Sequence, residues 1–229
     1  MKRNGFTLAE VLVTLGVIGI VAAITMPTLI KNYQKNVWVN QLKKSISVVE
    51  NGFKLAMAES GTDKLEDTEF FIKCSSYDIA DGGDTDNIGS WNCFADEMKK
   101  YFKIIDNKFY YNYHEKYKSL DGSAFEDDDS DGALYLSDGT IIYILIYWSG
   151  EKSARIFAID VNGEKGPNVA GRDLFPLYLG FDGKLSPIDN QHQGSCWGSN
   201  ISCDPKTKSG YNGNGCAARI MENGWKMDY

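Results

Sequence analysis

The chain has 229 residues, of which 43% are hydrophobic and 24% charged, and a formal net charge of −7 at pH 7. Lysine and arginine are interleaved with acids and form no long basic run, which excludes a head that binds nucleic acid through a basic surface. About 170 residues follow the first sixty, enough for one moderate domain, and no internal repeat is visible.

The N-terminus opens with the short basic leader Met1-Lys2-Arg3-Asn4-Gly5. From Phe6 to Ile30 about 25 residues follow with one formal charge, Glu10. At about 1.5 Å per residue, a helix of that length crosses a hydrocarbon core of about 30 Å. Lys2 and Arg3 place the N-terminus in the cytoplasm and the bulk of the chain outside. A secretory signal has a shorter apolar core with a small-residue cleavage site behind it.

Gly5-Phe6, the apolar run and Glu10 together resemble the prepilin signal of type IV pilins and type II secretion pseudopilins. The resemblance covers roughly the first 30 residues. It implies that a membrane prepilin peptidase cuts after Gly5 and methylates the new N-terminal residue, Phe6. It also implies that Glu10 pairs with a subunit's N-terminal amine during assembly. A carboxylate inside hydrocarbon is costly unless it finds such a partner. The competing readings are an ordinary anchor helix, which explains neither Gly5-Phe6 nor Glu10, and a Glu10 that merely snorkels to the interface. Removing the leader also removes Lys2 and Arg3 and leaves a more acidic chain.

Pro27 removes a helical N–H and predicts a kink, and in pilins a proline here accompanies a bend. Gly16 and Gly19 allow close helix packing. Beyond the apolar run, Tyr33, Val37, Leu42, Ile46, Val49, Phe53 and Ala56 recur at helical spacing, with Lys31, Gln34, Lys35, Asn40, Lys43, Lys44 and Glu50 on the other faces. Gly61 marks the stop. The reading is one helix of about 50 residues, membrane-spanning over 6–30 and amphipathic over 31–61, behind a leader at 1–5 and ahead of a globular exported head at 62–229.

Within the head, 61–92 is polar and rich in Gly, Asp and Ser, and Trp91 to Phe102 forms a short helix. Residues 106–132 are again polar. Ala133–Ser137 and Thr140–Trp148 form a β-hairpin around Asp138-Gly139. Arg155–Val161 is a third strand ended by Asn162-Gly163. Leu177–Phe181 and Lys184–Ser186 make a further short hairpin, and the tail from 187 reads as irregular and tied by cysteines. The fold class is α+β: a long N-terminal helix packed on a small antiparallel sheet, as in pilins.

Five cysteines are present: Cys74, Cys93, Cys196, Cys203 and Cys216. In an exported head disulfides are permitted. Cys74 with Cys93 and Cys203 with Cys216 are the favoured pairs, leaving Cys196 alone, although spacing does not settle connectivity. The spacings of His192, Cys196, Cys203 and Cys216 match no zinc pattern. Asp127, Asp129, Asp131 and Asp138 follow the start of a calcium loop but lead into a strand where an EF-hand has a helix. A second acidic cluster, Asp160-Val161-Asn162-Gly163 followed by Asn168 and Asp173, could also offer oxygens to calcium, against the plainer reading of an ordinary Asn-Gly turn. Calcium is the one candidate cofactor, and none is required. No phosphate loop, G-x-S-x-G or H-E-x-x-H motif is present, so no enzyme is expected.

The sequence therefore reads as a structural subunit of a type IV pilus-like filament or a type II secretion pseudopilus. Its expected partners are the prepilin peptidase/methylase, other pilin or pseudopilin subunits and the bacterial cytoplasmic membrane. It would sit there as a single-pass protein with its head outside, then in a pilus, in a pseudopilus or at the cell surface. The alternative from a different class is a membrane-tethered module whose aromatic-rich head binds a glycan or protein ligand without polymerising.

Overall fold

A computed structural model describes residues 7–75, 87–109, 113–126, 132–146, 155–188 and 202–229. It divides into two compact units, one ending at Val37 and one running from Trp38 to Tyr229. One continuous helix, α1 (Leu8–Glu59), belongs to both and stays helical through Pro27. It ends near Gly61, whose φ of +66° is open to glycine.

In the second unit, α2 (Glu69–Ser75) and α3 (Asn87–Met98) precede the sheet. Six antiparallel strands follow in sequence order: β1 (Ile104–Lys108), β2 (Gly132–Leu136), β3 (Ile141–Ile146), β4 (Arg155–Asp160), β5 (Leu174–Leu179) and β6 (Leu185–Pro187). Each pairs with its neighbour, as in Ile142↔Ile159 and Ala158↔Pro176. A final helix, α4 (Cys216–Glu222), lies in the tail.

Side chains alternate across a strand, so this sheet carries two cores. Leu134, Leu136, Ile142, Ile144, Ile159, Phe175 and Leu177 share one cluster with the α1 stripe Val39, Leu42, Ile46, Val49, Phe53 and Ala56. Ala133, Ile141, Tyr143, Ala158 and Leu174 form a second cluster with Tyr117, Phe125 and Ala170. Both faces are covered, which is why the strands read as nearly unbroken apolar runs.

Three polar contacts pin α1 to the sheet. Lys44 Nζ meets Asp138 Oδ2 at 2.8 Å, the buried Ser45 and Thr140 hydroxyls lie 3.4 Å apart, and Leu185 N donates to Glu50 Oε1 at 3.0 Å. Helices α2 and α3 are joined by the Cys74–Cys93 disulfide. Glu97 on α3 also accepts from Lys73 at 2.7 Å and from Lys100.

Several segments differ from the sequence reading. The buried stripe of α1 starts at Trp38, while Tyr33 is exposed. The polar connector holds α2, and the tail read as irregular holds α4. Both are seven residues long, too short to be stable or periodic alone, so packing and disulfides hold them. Strand β1 lies in and before a stretch read as polar; it is an edge strand, where charged residues are expected. Strand β5 begins three residues before the expected Leu177, because Leu174, Phe175 and Pro176 pair with Asp160, Ile159 and Ala158 of β4; β6 pairs only with Leu177–Leu179, so Pro176 faces no strand on that side and its missing N–H is tolerated.

Candidate assembly segment and head sites

Thr7 and Glu10 form a capping box at the start of α1. Glu10 N donates to Thr7 Oγ1 at 3.3 Å, and both Thr7 N and Thr7 Oγ1 donate to Glu10 Oε2 at 2.8 Å. The pattern T-x-x-E satisfies amide donors that a helix start otherwise leaves open. The reading of Glu10 as an intermolecular partner overlooked this local role, although Thr-Leu-Ala-Glu at 7–10 is its sequence signal. The carboxylate is exposed, so one face remains open to a second donor.

From Leu8 to Ile30 the large apolar side chains stand exposed, among them Leu12, Leu15, Ile18, Ile24 and Leu29. α1 is long and apolar enough to cross a membrane. Two of the hydroxyls in this stretch bond back to the helix, Thr14 to the Val11 carbonyl at 2.9 Å and Thr25 to the Val21 carbonyl at 2.8 Å. That removes the cost of bringing them into hydrocarbon. A Cβ at Gly16 or Gly19 would meet nothing within 4 Å, so both positions leave the helix backbone approachable. Gly5 and Phe6 lie outside the described residues.

In the head, Cys203 pairs with Cys216 across 13 residues and Cys74 with Cys93 across 19. His192 and Cys196 lie outside the described residues, as do Asp127, Asp129 and Asp131. Asp138 is separately engaged: its Oδ1 accepts Thr140 N–H at 3.1 Å and its Oδ2 holds Lys44. Burial pushes this carboxyl up, and the Lys44 ammonium and Thr140 outweigh it, leaving it below the usual carboxylate range. Among the described residues no group of three or more His, Cys, Asp or Glu side chains is placed to hold a metal.

On the second face of the sheet the two acids of the second calcium candidate, Asp160 and Asp173, are both buried in a polar cluster. Tyr117 donates to Asp160 Oδ2 at 2.7 Å and its hydroxyl lies 3.0 Å from that of Tyr143. Asp173 accepts the N–H groups of Asn168 and Val169, both at 2.8 Å. Burial pushes both carboxyls above their ordinary value, Asp160 to about 7.

No curated protein and no solved structure matches the chain significantly. A family model does match at the N-terminus, over residues 1–26, and its description is the prokaryotic N-terminal methylation motif. The chain thus opens with the prepilin-type segment that is the signature of type IV pilins and pseudopilins.

Proposed function

We propose that the protein is a structural subunit of a type IV pilus-like filament or type II secretion pseudopilus. It is made as a precursor, cut after Gly5, methylated on Phe6 and polymerised through α1. The observation that carries this reading is the methylation motif at 1–26 leading directly into a helix with exposed apolar side chains. An apolar surface of that extent needs lipid or other helices around it. In the membrane, Glu10 sets registry by offering its open face to a subunit's N-terminal amine, and Pro27 marks where the helix bends on assembly. Prepilin peptidase and fellow subunits are the partners, and the head supplies the outward chemistry.

Intact mass and N-terminal sequence of the protein from its native membrane test the processing step. The expected chain begins at Phe6 with one added methyl group. Retention of Met1 to Gly5 in cells with active prepilin peptidase would sink the assembly reading and favour a tethered surface module. Glu10→Gln keeps the size of the side chain and removes its charge. It should be cleaved normally yet be lost from sheared filaments; normal incorporation would remove Glu10 from the assembly step.

A further inference from the structure

The dipeptide Asn-Gly occurs six times in the chain. One copy, Asn4-Gly5, lies outside the described residues. With no Cβ on the glycine, its main-chain nitrogen can approach the asparagine Cγ with little steric hindrance. The other five copies sit in different surroundings, and the surroundings separate them.

Asn51 lies inside α1, where Gly52 belongs to the helical ladder and is packed against the Phe102 ring. The Asn162 amide donates to the Lys165 and Gly166 carbonyls, at 2.7 and 3.2 Å. Asn212 is 0% exposed, its amide donates to the Asp204 and Thr207 carbonyls, and Gly213 N donates to the Ser202 carbonyl at 2.8 Å. Asn214 is 1% exposed. Asn223 differs from all four. It follows α4, both it and Gly224 are exposed, and among the described residues its side chain has no hydrogen-bond partner. Gly224 N is held by one bond of 3.2 Å to the Met221 carbonyl, at the end of a seven-residue helix. Gly224 and Trp225 both take a left-handed backbone, at φ +66° and +63°, which strains a residue as bulky as tryptophan. This turn therefore opens at low cost.

We propose that Asn223 is a self-modifying site, converted through a cyclic imide to aspartyl and isoaspartyl residues at the joint between α4 and the C-terminal tail. Solvent base takes the Gly224 amide proton, and the nitrogen attacks Asn223 Cγ. A C–N bond forms, and Nδ2 leaves as ammonia with a proton returned from solvent. Water then opens the imide at either carbonyl. Opening at Cγ gives an aspartyl residue; opening at the main-chain carbonyl gives an isoaspartyl residue, whose main chain runs through the side chain. Either product places a negative charge beside Glu222 at the C-terminal end of α4, where the helix dipole disfavours it. The isoaspartyl form also lengthens the main chain ahead of Trp225 and Tyr229. Trp225 packs on the core cluster that contains α1, with Lys43 Nζ 4.9 Å from its ring centroid, and the Tyr229 hydroxyl donates to the Gly171 carbonyl. The conversion therefore loosens the tail that holds α1 from this side.

The test is ageing of the full chain in detergent, disulfides intact, in mildly alkaline heavy-oxygen water, followed by peptide mapping with electron-transfer fragmentation. The label separates conversion during ageing from conversion during digestion. Asn223 should convert at least about tenfold faster than Asn51, Asn162, Asn212 and Asn214, each of which must first lose hydrogen bonds or burial. Its product should include isoaspartate, which direct hydrolysis of the amide does not give. In urea all five should convert at similar rates. Amide exchange of 225–229 should rise on the order of tenfold in the isoaspartyl form, and Asn223→Gln should keep its fresh exchange rate on ageing. The wild-type time course decides even if that variant does not fold. Conversion of Asn223 no faster than that of the other four in the folded chain, a product without isoaspartate, or a tail whose exchange is unchanged after conversion would overturn the proposal.

Discussion

Replacing Gly52 by alanine sets two effects against each other. Gly52 lies inside α1, where alanine is better than glycine by roughly 0.5–1 kcal/mol because it orders less chain entropy. Its Cβ, however, would fall 2.3 Å from both Cε1 and Cζ of Phe102. Phe102 is itself buried, edge-on to Phe53 with ring centroids 5.7 Å apart, so it has little room to retreat. Overpacking of this kind costs about 1–3 kcal/mol, and the clash wins: Gly52→Ala should destabilise the head by about 1–2 kcal/mol. The two contributions separate in a double-mutant cycle. In a Phe102→Ala background the obstruction is gone, and Gly52→Ala should become stabilising by roughly 0.5–1 kcal/mol. Urea unfolding of the full chain in detergent, followed by tryptophan fluorescence through the buried Trp38 and Trp91, gives all four corners of the cycle. A Gly52→Ala midpoint at or above wild type, or strictly additive effects, would refute the packing of α1 on Phe102.

Two further outcomes follow from the head. Cys74→Ser with Cys93→Ser, or Cys203→Ser with Cys216→Ser, should each lower stability by about 3 kcal/mol through the freed loop, seen as a drop in the urea midpoint that reductant reproduces in the wild type. Glu97 is buried between Lys100 and Lys73, and those bonds hold its carboxyl below the ordinary value of 4.5. A depressed native value stabilises above the unfolded value and fades as pH falls through the native one. The wild type should therefore lose stability on acidification below about pH 4.5 more steeply than Glu97→Gln, and equal pH profiles would remove the Lys73–Glu97–Lys100 bridge as a stabilising element.

Sequence periodicity carried the long helix and the β2–β3 hairpin well. Leu42, Ile46, Val49 and Phe53 recur at helical steps and are all buried. Asp138-Gly139 turns the hairpin with Gly139 at φ +90°. Elements whose reasons are tertiary were less legible. Helix α2 draws its order from Phe70 packed against Phe94 and from a disulfide to α3, contacts between residues distant in sequence. Helix α4 was readable in principle, since Ala217, Ala218, Arg219 and Met221 are good helix formers, but the glycines before it masked the signal. The Thr7–Glu10 box had a plain four-residue signature. Asp160 and Asp173 stand out in the sequence as the two ends of an acidic loop, but their burial beside Tyr117 and Tyr143 does not, because those residues meet only once the sheet has formed.

The contacts of Lys44, Ser45 and Glu50 with the sheet have a consequence for which changes this stretch tolerates. Each added or removed residue rotates a helix by about 100° and shifts it by about 1.5 Å. The three contacts lie within six residues of one another and reach three different places, the β2–β3 turn, the first residue before β3 and the start of β6. No single slip can keep all of them. The segment can absorb many substitutions on its outer face, yet its length is locked: one inserted or deleted residue between Lys44 and Glu50 breaks at least one contact and turns part of the apolar stripe away from the sheet.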